Sequence, residues 1–449
     1  MLKNLLLSTV LGCAVFVSCS KKDDLDRLGT LDFSRPAAIG GTFLSGYQDG
    51  ALTYDGQTKS IPALFFEEIN NHETVTFEIP FIEYEQKNGV GLTIGNTSYP
   101  FRKKSSLSIV TNDDGESSLS PIFENYETTS LPDLEKLSST FSGQYKCVPF
   151  ASTKDLLDHQ FGNSFEEGNP NPFYHRFSPS NEEIAAIDDL VAYNPTFTMI
   201  WIGMDDIYNY AINGGDTLEL PSSSVFEDKA RELISKIAET NSKGVIINVP
   251  DIDDLPYFNL IEYNVPDLDS SSAETLNGLY ELNGFDHINF KPGNNPFVIT
   301  DEGQPGNIRQ LVHGEKVLFS LPVNLVQESL LGIQNPMPAK YVLTLNELSK
   351  IRNAITNYNV ILNKLAEEYD LALFDVNSYF KEVNMGIQWN AKDFSLTFAS
   401  GGFISLDGYT PTQKGSELIT NKIIEAINKK YATAIPNINC GDCNGVLFP

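Results

Sequence analysis

The sequence predicts an α/β protein, a three-layer, doubly wound parallel sheet. Continuous apolar runs such as "TFTMIWIG" (196–203), "KGVIINVP" (243–250), "KVLFSLP" (316–322) and "LALFDV" (371–376) have the pattern of strands buried on both faces. Amphipathic helical patterns fall between the runs, and such alternation favours a parallel sheet covered by helices. Several runs end in Gly, Pro or Asp, the residues that open loops at the carboxyl ends of such strands.

Taken in chain order, "LDFSRPAAI" is extended and leads into the Gly-rich "GGTFLSG" (40–46). "SIPALFFEEIN" (60–70) reads as a helix. "ETVTFEIPFIEYEQKNGVGLTI" (73–94) alternates, with Asn88-Gly89 as a hairpin signal. "VFEDKARELISKIAETN" is an amphipathic helix. The stretch 346–370 puts Leu348, Ile351, Ile355, Tyr358, Leu362 and Leu365 on one helical face. Thr410-Pro411 marks the start of the closing helix. Segments 73–125 and 255–315 read as loop and hairpin insertions. The strand-end rule gathers four segments at one rim: Gly40–Gly46, Gly203–Asp206, Pro250–Asp254 and Leu406–Thr410.

The chain has 449 residues, 41% hydrophobic and 11% aromatic, enough for a sizeable core, and a net charge of −28. That charge argues against nucleic acid and anionic lipid surfaces as partners. At the N-terminus, Lys3 precedes an apolar run from Leu5 to Val17, then Ser18, Cys19 and charges. The run is short for a bilayer span and has the form of a secretory signal. Ser18-Cys19 resembles a bacterial lipoprotein cleavage site, as does the alternative ending at Cys13, which would leave apolar "AVFV" exposed. "SKKDD" after Cys19 resembles the export tag of surface lipoproteins of Bacteroidetes-type bacteria. The expectation is a signal over 1–18, a lipidated tether over 19–30 and one domain over 31–449, anchored at the outer membrane and facing the cell surface. Of the remaining cysteines, Cys440 and Cys443 suit a local disulfide better than a zinc site, and Cys147 is left as an odd thiol.

The loop 40–46 lacks the Gly-Lys-Ser/Thr ending of a phosphate loop, the dinucleotide glycine spacing and the G-x-S-x-G elbow. Together with "YKCVPFASTKDLL", "IWIGMDDIYNYAINGG", "INVPDIDDLPYF", "GGFISLDGYTPTQKGSELITNKIIEAIN" and "IPNINCGDCNGVLFP", however, it resembles the GDSL, or SGNH, hydrolases from about residue 33 onward. The resemblance implies a flavodoxin-like strand arrangement and acyl-ester hydrolysis. A Ser, a Gly and an Asn would supply nucleophile and oxyanion donors, and a D-x-x-H pair would supply the base.

Matched position by position, the blocks are degenerate. Thr42, after Gly41, stands for the Ser, Cys147 for the oxyanion Gly, Asp205 for the Asn between Gly203 and Asp206, and Thr410 for the His. Asp407 alone is kept. An acceptor in place of the Asn amide opposes a developing oxyanion, and loss of one such donor costs about a hundred- to a thousandfold in rate. Thr410 cannot take a proton, and Asp407, with a reference pKa near ~3.9, is a poor base. His72, His159, His175, His287 and His313 sit at positions that suit structure better than a relocated base. Asp205, Asp206 and Asp407 invite a hard cation only if they converge; solvated or paired carboxylates are the plainer reading, and no cofactor or metal is expected. Tyr47, Tyr54, Tyr84 and Tyr257 suit packing, with sugar stacking as the functional alternative. Two functional readings stand. In one, an impaired hydrolase keeps a cleft for a glycan or acylated saccharide. In the other, an esterase uses Thr42 with an unconventional base.

Overall fold

A computed structural model describes residues 27–92, 101–111, 117–126, 134, 137, 143–162, 171–179, 184–215 and 218–449. The signal and Cys19 lie outside the described residues. Five strands form one sheet: β1 (Pro36–Gly40), β2 (Tyr145–Cys147), β3 (Phe197–Trp201), β4 (Lys243–Ile247) and β5 (Ala372–Phe374). Their order is β2-β1-β3-β4-β5 and every pairing is parallel. This is the doubly wound, flavodoxin-like order, with its switch point at β1 and β3. The expected fold class holds.

Register brings the strand ends level. Cys147, Gly40, Trp201, Ile247 and Phe374 form one row across the sheet. The loops that follow them therefore leave from a single rim. The strands are buried because each is apolar on both faces: Ala37, Ala38, Ile39, Met199, Ile200, Val245 and Ile246 are all fully enclosed.

Helices cover both faces. The rim begins with a single turn, α1 (Thr42–Ser45), which packs on α2 (Ile61–Asn70). Ser60 caps α2 and Pro62 stands in its first turn. Next come α3 (Ala186–Tyr193), α4 (Met204–Ala211), α5 (Ser223–Ala238), α6 (Ser270–Leu282), α7 (Leu345–Glu368), α8 (Val376–Met385) and α9 (Gln413–Tyr431). Helices α3, α5 and α7 pack in a layer on one side; α2 and α9 pack together, with α9 against β4 and β5. The buried stripe of α7 includes all six residues its periodicity selects, and a Thr344–Glu347 capping box starts it. Helix α9 starts two residues later than Thr410-Pro411 suggests: Thr412 caps it by accepting from Gly415 N–H.

Two elements differ from the sequence pattern. "KVLFSLP" does not join the parallel sheet. Lys316–Val317 pairs antiparallel with Val342–Leu343, and Val317 packs in a satellite cluster with Phe297, Ile299 and Leu311. Its run is apolar because it is wedged between that cluster and the main core, which Leu318 joins. Nor is there a hairpin at Asn88-Gly89. Residues 74–83 have no regular secondary structure and no strand partner among the described residues, and Gly91–Leu92 pairs with Phe101–Arg102 instead. Side chains replace the ladder: Gln57 and Arg176 both donate to the Pro80 carbonyl, and Gln57 Oε1 accepts from Ile82 N–H. Val75, Ile79 and Ile82 still bury, which is why the segment alternates.

The segment between β4 and α7 carries a second satellite cluster under α6, formed by Leu276, Tyr280, Phe290 and Val298 among others. At the C-terminus Cys440 and Cys443 form a disulfide, and Asn421 of α9 holds Ile438 through both its N–H and its carbonyl. Among the described residues no helix is long and apolar enough to cross a membrane.

Candidate functional site

The rim loops place the candidate residues in two buried clusters. In the first, Gly40 ends β1 and Gly41 turns the chain into α1, so Thr42 opens that turn at the switch point. Gly203 ends the β3 segment in the left-handed region, at φ 88°, a conformation that suits glycine, and starts α4. Asp205 and Asp206 fall in the first turn of α4, where unpaired N–H groups favour negative charge.

Asp205 grips Thr42 with both oxygens. Oδ2 accepts from the Thr42 backbone N–H at 3.0 Å, and Oδ1 accepts from the Thr42 hydroxyl. The same hydroxyl accepts from the Phe150 N–H at 2.8 Å. The fit requires Gly41, because a Cβ there would lie 1.7 Å from Asp205 Oδ2. Thr42 is 2% exposed and Asp205 5%. Burial pushes the Asp205 carboxyl up to about 7, against the lowering effect of the two Thr42 bonds, with Asp206 and Asp155 adding to the rise.

The loop after β2 supplies the rest. Phe150 sits at φ 64°, an uncommon backbone for a bulky residue. It is held there: Asn171 donates to the Pro149 carbonyl at 2.8 Å and Asn209 of α4 to the Phe150 carbonyl at 2.9 Å. Thr153 donates to Asp206 Oδ2 from its N–H at 2.9 Å and its hydroxyl at 2.6 Å. Burial raises the Asp206 carboxyl to about 6, opposed by those bonds.

The second cluster surrounds Asp407. Its Oδ1 accepts from the N–H groups of Tyr409 at 2.9 Å and Thr410 at 2.8 Å. Its Oδ2 accepts from the Thr410 hydroxyl and from Gly50 N–H at 3.1 Å. Ser405 Oγ lies 3.0 Å from Thr410 Oγ1 and accepts from Asp49 N–H at 2.8 Å. Burial again raises the Asp407 carboxyl. Asp407 thus clasps its own turn to the loop 49–50; it makes no hydrogen bond to Thr42.

Tyr208 of α4 lies between the clusters. Its buried hydroxyl has no hydrogen-bond partner among the described residues, and burial raises its pKa with added contributions from Asp407 and Asp205. Its ring stands 4.7 Å from that of Tyr409 and 6.3 Å from that of Phe43.

The structure brings together Thr42, Gly41 and Asp205 in one clamp, Asp206 with Thr153, and Asp407 with Thr410. Cys147 is not part of the clamp. The strand turns its thiol into the main core, where burial holds its pKa well above the ordinary value, and the donor that reaches Thr42 is three residues on, at Phe150. Asp205, Asp206 and Asp407 do not converge on one cation position. Each is held by its own N–H and hydroxyl donors: Asp205 by Thr42, Asp206 through Oδ2 by Thr153, and Asp407 by Gly50, Tyr409 and Thr410. Among the described residues, one trio of potential ligand atoms lies within 4.8 Å: Glu417 with the disulfide-bonded Cys440 and Cys443. No histidine supplies a base to Thr42 or Asp407. His72 pairs with Glu68 and His159 with Asp188, His175 Nδ1 lies 2.9 Å from the Gly162 carbonyl, His287 Nε2 lies 3.0 Å from the Ile308 carbonyl, and His313 stands beside Tyr263. Sequence reasoning missed Phe150, Thr153 and Ser405. A backbone donor leaves no mark in a sequence, although Thr153 lies in a stretch already singled out.

No family model matches the chain, and no curated protein matches it. Among solved structures, it is similar to a protein described as a GDSL-like lipase from Parabacteroides merdae ATCC 43184, at 12% identity over 64% of this chain and 72% of that one, with a TM-score of 0.28. It is also similar to an α/β hydrolase from the metagenome of Lake Arreo, Spain, at 11% identity over 64% of this chain and 73% of that one, again with a TM-score of 0.28. Scores this low carry no functional inference, and the α/β class rests on the strand order and register of the sheet itself.

Proposed function

We propose that this chain is a lipid-anchored surface protein with an ester-hydrolase-like domain that no longer hydrolyses esters and acts by binding a saccharide at the sheet rim. One observation carries the reading: the Thr42 hydroxyl is engaged twice, as donor to Asp205 and as acceptor from Phe150 N–H. An attacking hydroxyl needs a free lone pair directed at the carbonyl and a base to take its proton. Here one of the hydroxyl's two lone pairs is held by an N–H group, and the residue where an oxyanion donor would stand is a carboxylate, which opposes the developing negative charge. Purified protein tested on short acyl esters and acetylated oligosaccharides should show no turnover above a Thr42→Ala control; a rate lost in that variant contradicts the proposal.

A second reading rests on a specific feature of the same clamp. Asp205 bonds the Thr42 hydroxyl and titrates at about 7, the range that suits a general base. An esterase of this kind would show a rate rising with pH through about 7, abolished by Thr42→Ala and by Asp205→Asn alike.

The anchor is the sequence-based part of the proposal. Cys19 carries the lipid, the tether spans residues 19–30, and the domain faces outward from the outer membrane.

A further inference from the structure

We propose that the rim carries an arginine–aromatic subsite, built on Arg102, Phe123 and Phe319, that binds a saccharide unit bearing a single carboxylate. The inference rests on the binding reading above and names its ligand class.

Arg102 lies in "FRKK" (101–104), a run of three cations in a chain of net charge −28. Its neighbours are neutralised: Lys103 pairs with Glu124 at 2.8 Å and Lys104 with Asp49 at 3.3 Å. Arg102 makes no ion pair among the described residues. One Nη donates to Ser105 Oγ at 2.6 Å, while Nε is buried and has no hydrogen-bond partner among the described residues. A guanidinium without an acidic partner is suited to a carboxylate, which it can meet through the Nη that is not bonded to Ser105.

The group belongs to the rim. It packs against Gly50, where a Cβ would lie 2.4 Å from Nη2, and Gly50 N–H is the donor to Asp407. Its charge acts on the hydroxyls of Tyr47, Tyr257 and Tyr409, opposing the burial that raises them.

Beside it stands an aromatic platform. The Arg102 guanidinium lies 5.3 Å from the Phe123 ring centroid, Phe123 meets Phe319 edge-on at 5.4 Å, and Phe319 meets Phe398 at 5.1 Å. Phe123 is 47% exposed and Phe319 half-buried, so aromatic surface faces solvent here. Phe319 is tied to the Asp407 loop, since its N–H donates to the Tyr257 carbonyl and Tyr257 N–H donates to the Gly408 carbonyl.

Aromatic faces carry partial negative charge and attract the slightly positive C–H face of a sugar ring. A cation fixed at the edge of that platform selects an anionic substituent. The −28 surface repels polyanions, which favours an otherwise neutral saccharide with one acidic unit over a densely charged polymer.

The test uses the full chain without its signal, a xylo-oligosaccharide carrying one glucuronic acid, and the unsubstituted oligosaccharide of equal length. Calorimetry should show the acidic sugar binding at least tenfold tighter, with the difference shrinking as salt rises. Arg102→Ala should erase the preference, Arg102→Lys should retain part of it, and Phe123→Ala, at an exposed position, should weaken both sugars. Equal affinities for the two sugars, no binding of either, or an unchanged preference in Arg102→Ala with a native melting curve would each overturn the inference. Equal affinities or an unchanged preference in Arg102→Ala overturn the arginine subsite alone, whereas loss of binding to both sugars also counts against the saccharide reading; ester turnover bears only on the hydrolysis part of that reading.

Discussion

Asp205 holds Thr42 by both its carboxylate oxygens, one on the backbone N–H and one on the hydroxyl, across 163 residues of chain. The contact joins the first turn after β1 to the first turn of α4 at the switch point of the sheet. Where a hydrolase would keep a free hydroxyl beside a donor, this chain has a closed clamp.

The clamp predicts a graded response at position 42. Thr42→Ser keeps both hydrogen bonds and loses one buried methyl, about 0.8 kcal/mol. Thr42→Val keeps the shape but strands Asp205 Oδ1 and Phe150 N–H, at about 1–3 kcal/mol for each group left unpaired. Urea unfolding of the two variants should separate them clearly; equal losses would mean the hydroxyl is not engaged.

Gly41→Ala should destabilise the protein by about 1–3 kcal/mol or more, because the new methyl collides with Asp205 Oδ2. The cause is local, so the cost should shrink in an Asp205→Ala background. A double-mutant cycle reads that coupling, and additive costs would show that Asp205 does not crowd Gly41.

Stability should fall with rising pH. Asp205 at about 7 and Asp206 at about 6 are both raised above the unfolded carboxylate value near ~3.9, so the folded state binds more protons between them. Their contribution is fully present below the unfolded pKa and is lost as pH rises through about 6 to 7. The melting temperature should be higher at pH 5 than at pH 8, and Asp205→Asn should flatten the difference. A profile that rises from pH 5 to 8 contradicts the burial of these carboxylates.

Much of the fold is legible in the sequence, for reasons visible in single elements. "TFTMIWIG" and "KGVIINVP" are apolar on both faces because helices cover both faces, and α7 shows its buried stripe through its period. "KVLFSLP" misleads because a run wedged between two apolar clusters has the same composition as a buried strand. The segment 74–83 misleads because the side chains of Gln57 and Arg176, the latter 96 residues from Pro80, take the place of a strand partner. At the site, block order picks out Thr42, Asp205, Asp407 and Thr410 but not Phe150, Thr153 or Ser405. The Phe150 N–H is set by a backbone angle and two distant asparagines, and none of these is written in local sequence.

The anchoring proposal makes a cellular prediction. Metabolic labelling with an alkyne palmitate should mark the wild-type chain and should fail in Cys19→Ala, which should leave the membrane fraction. Label retained in that variant would move the lipid to another residue.

The most direct test of the central claim is the intact mass of the protein after incubation with a fluorophosphonate, which phosphonylates activated hydroxyls. The engaged Thr42 predicts an unmodified mass at pH 6 and at pH 8. An adduct that maps to Thr42, and that grows as Asp205 ionises above about 7, would contradict it.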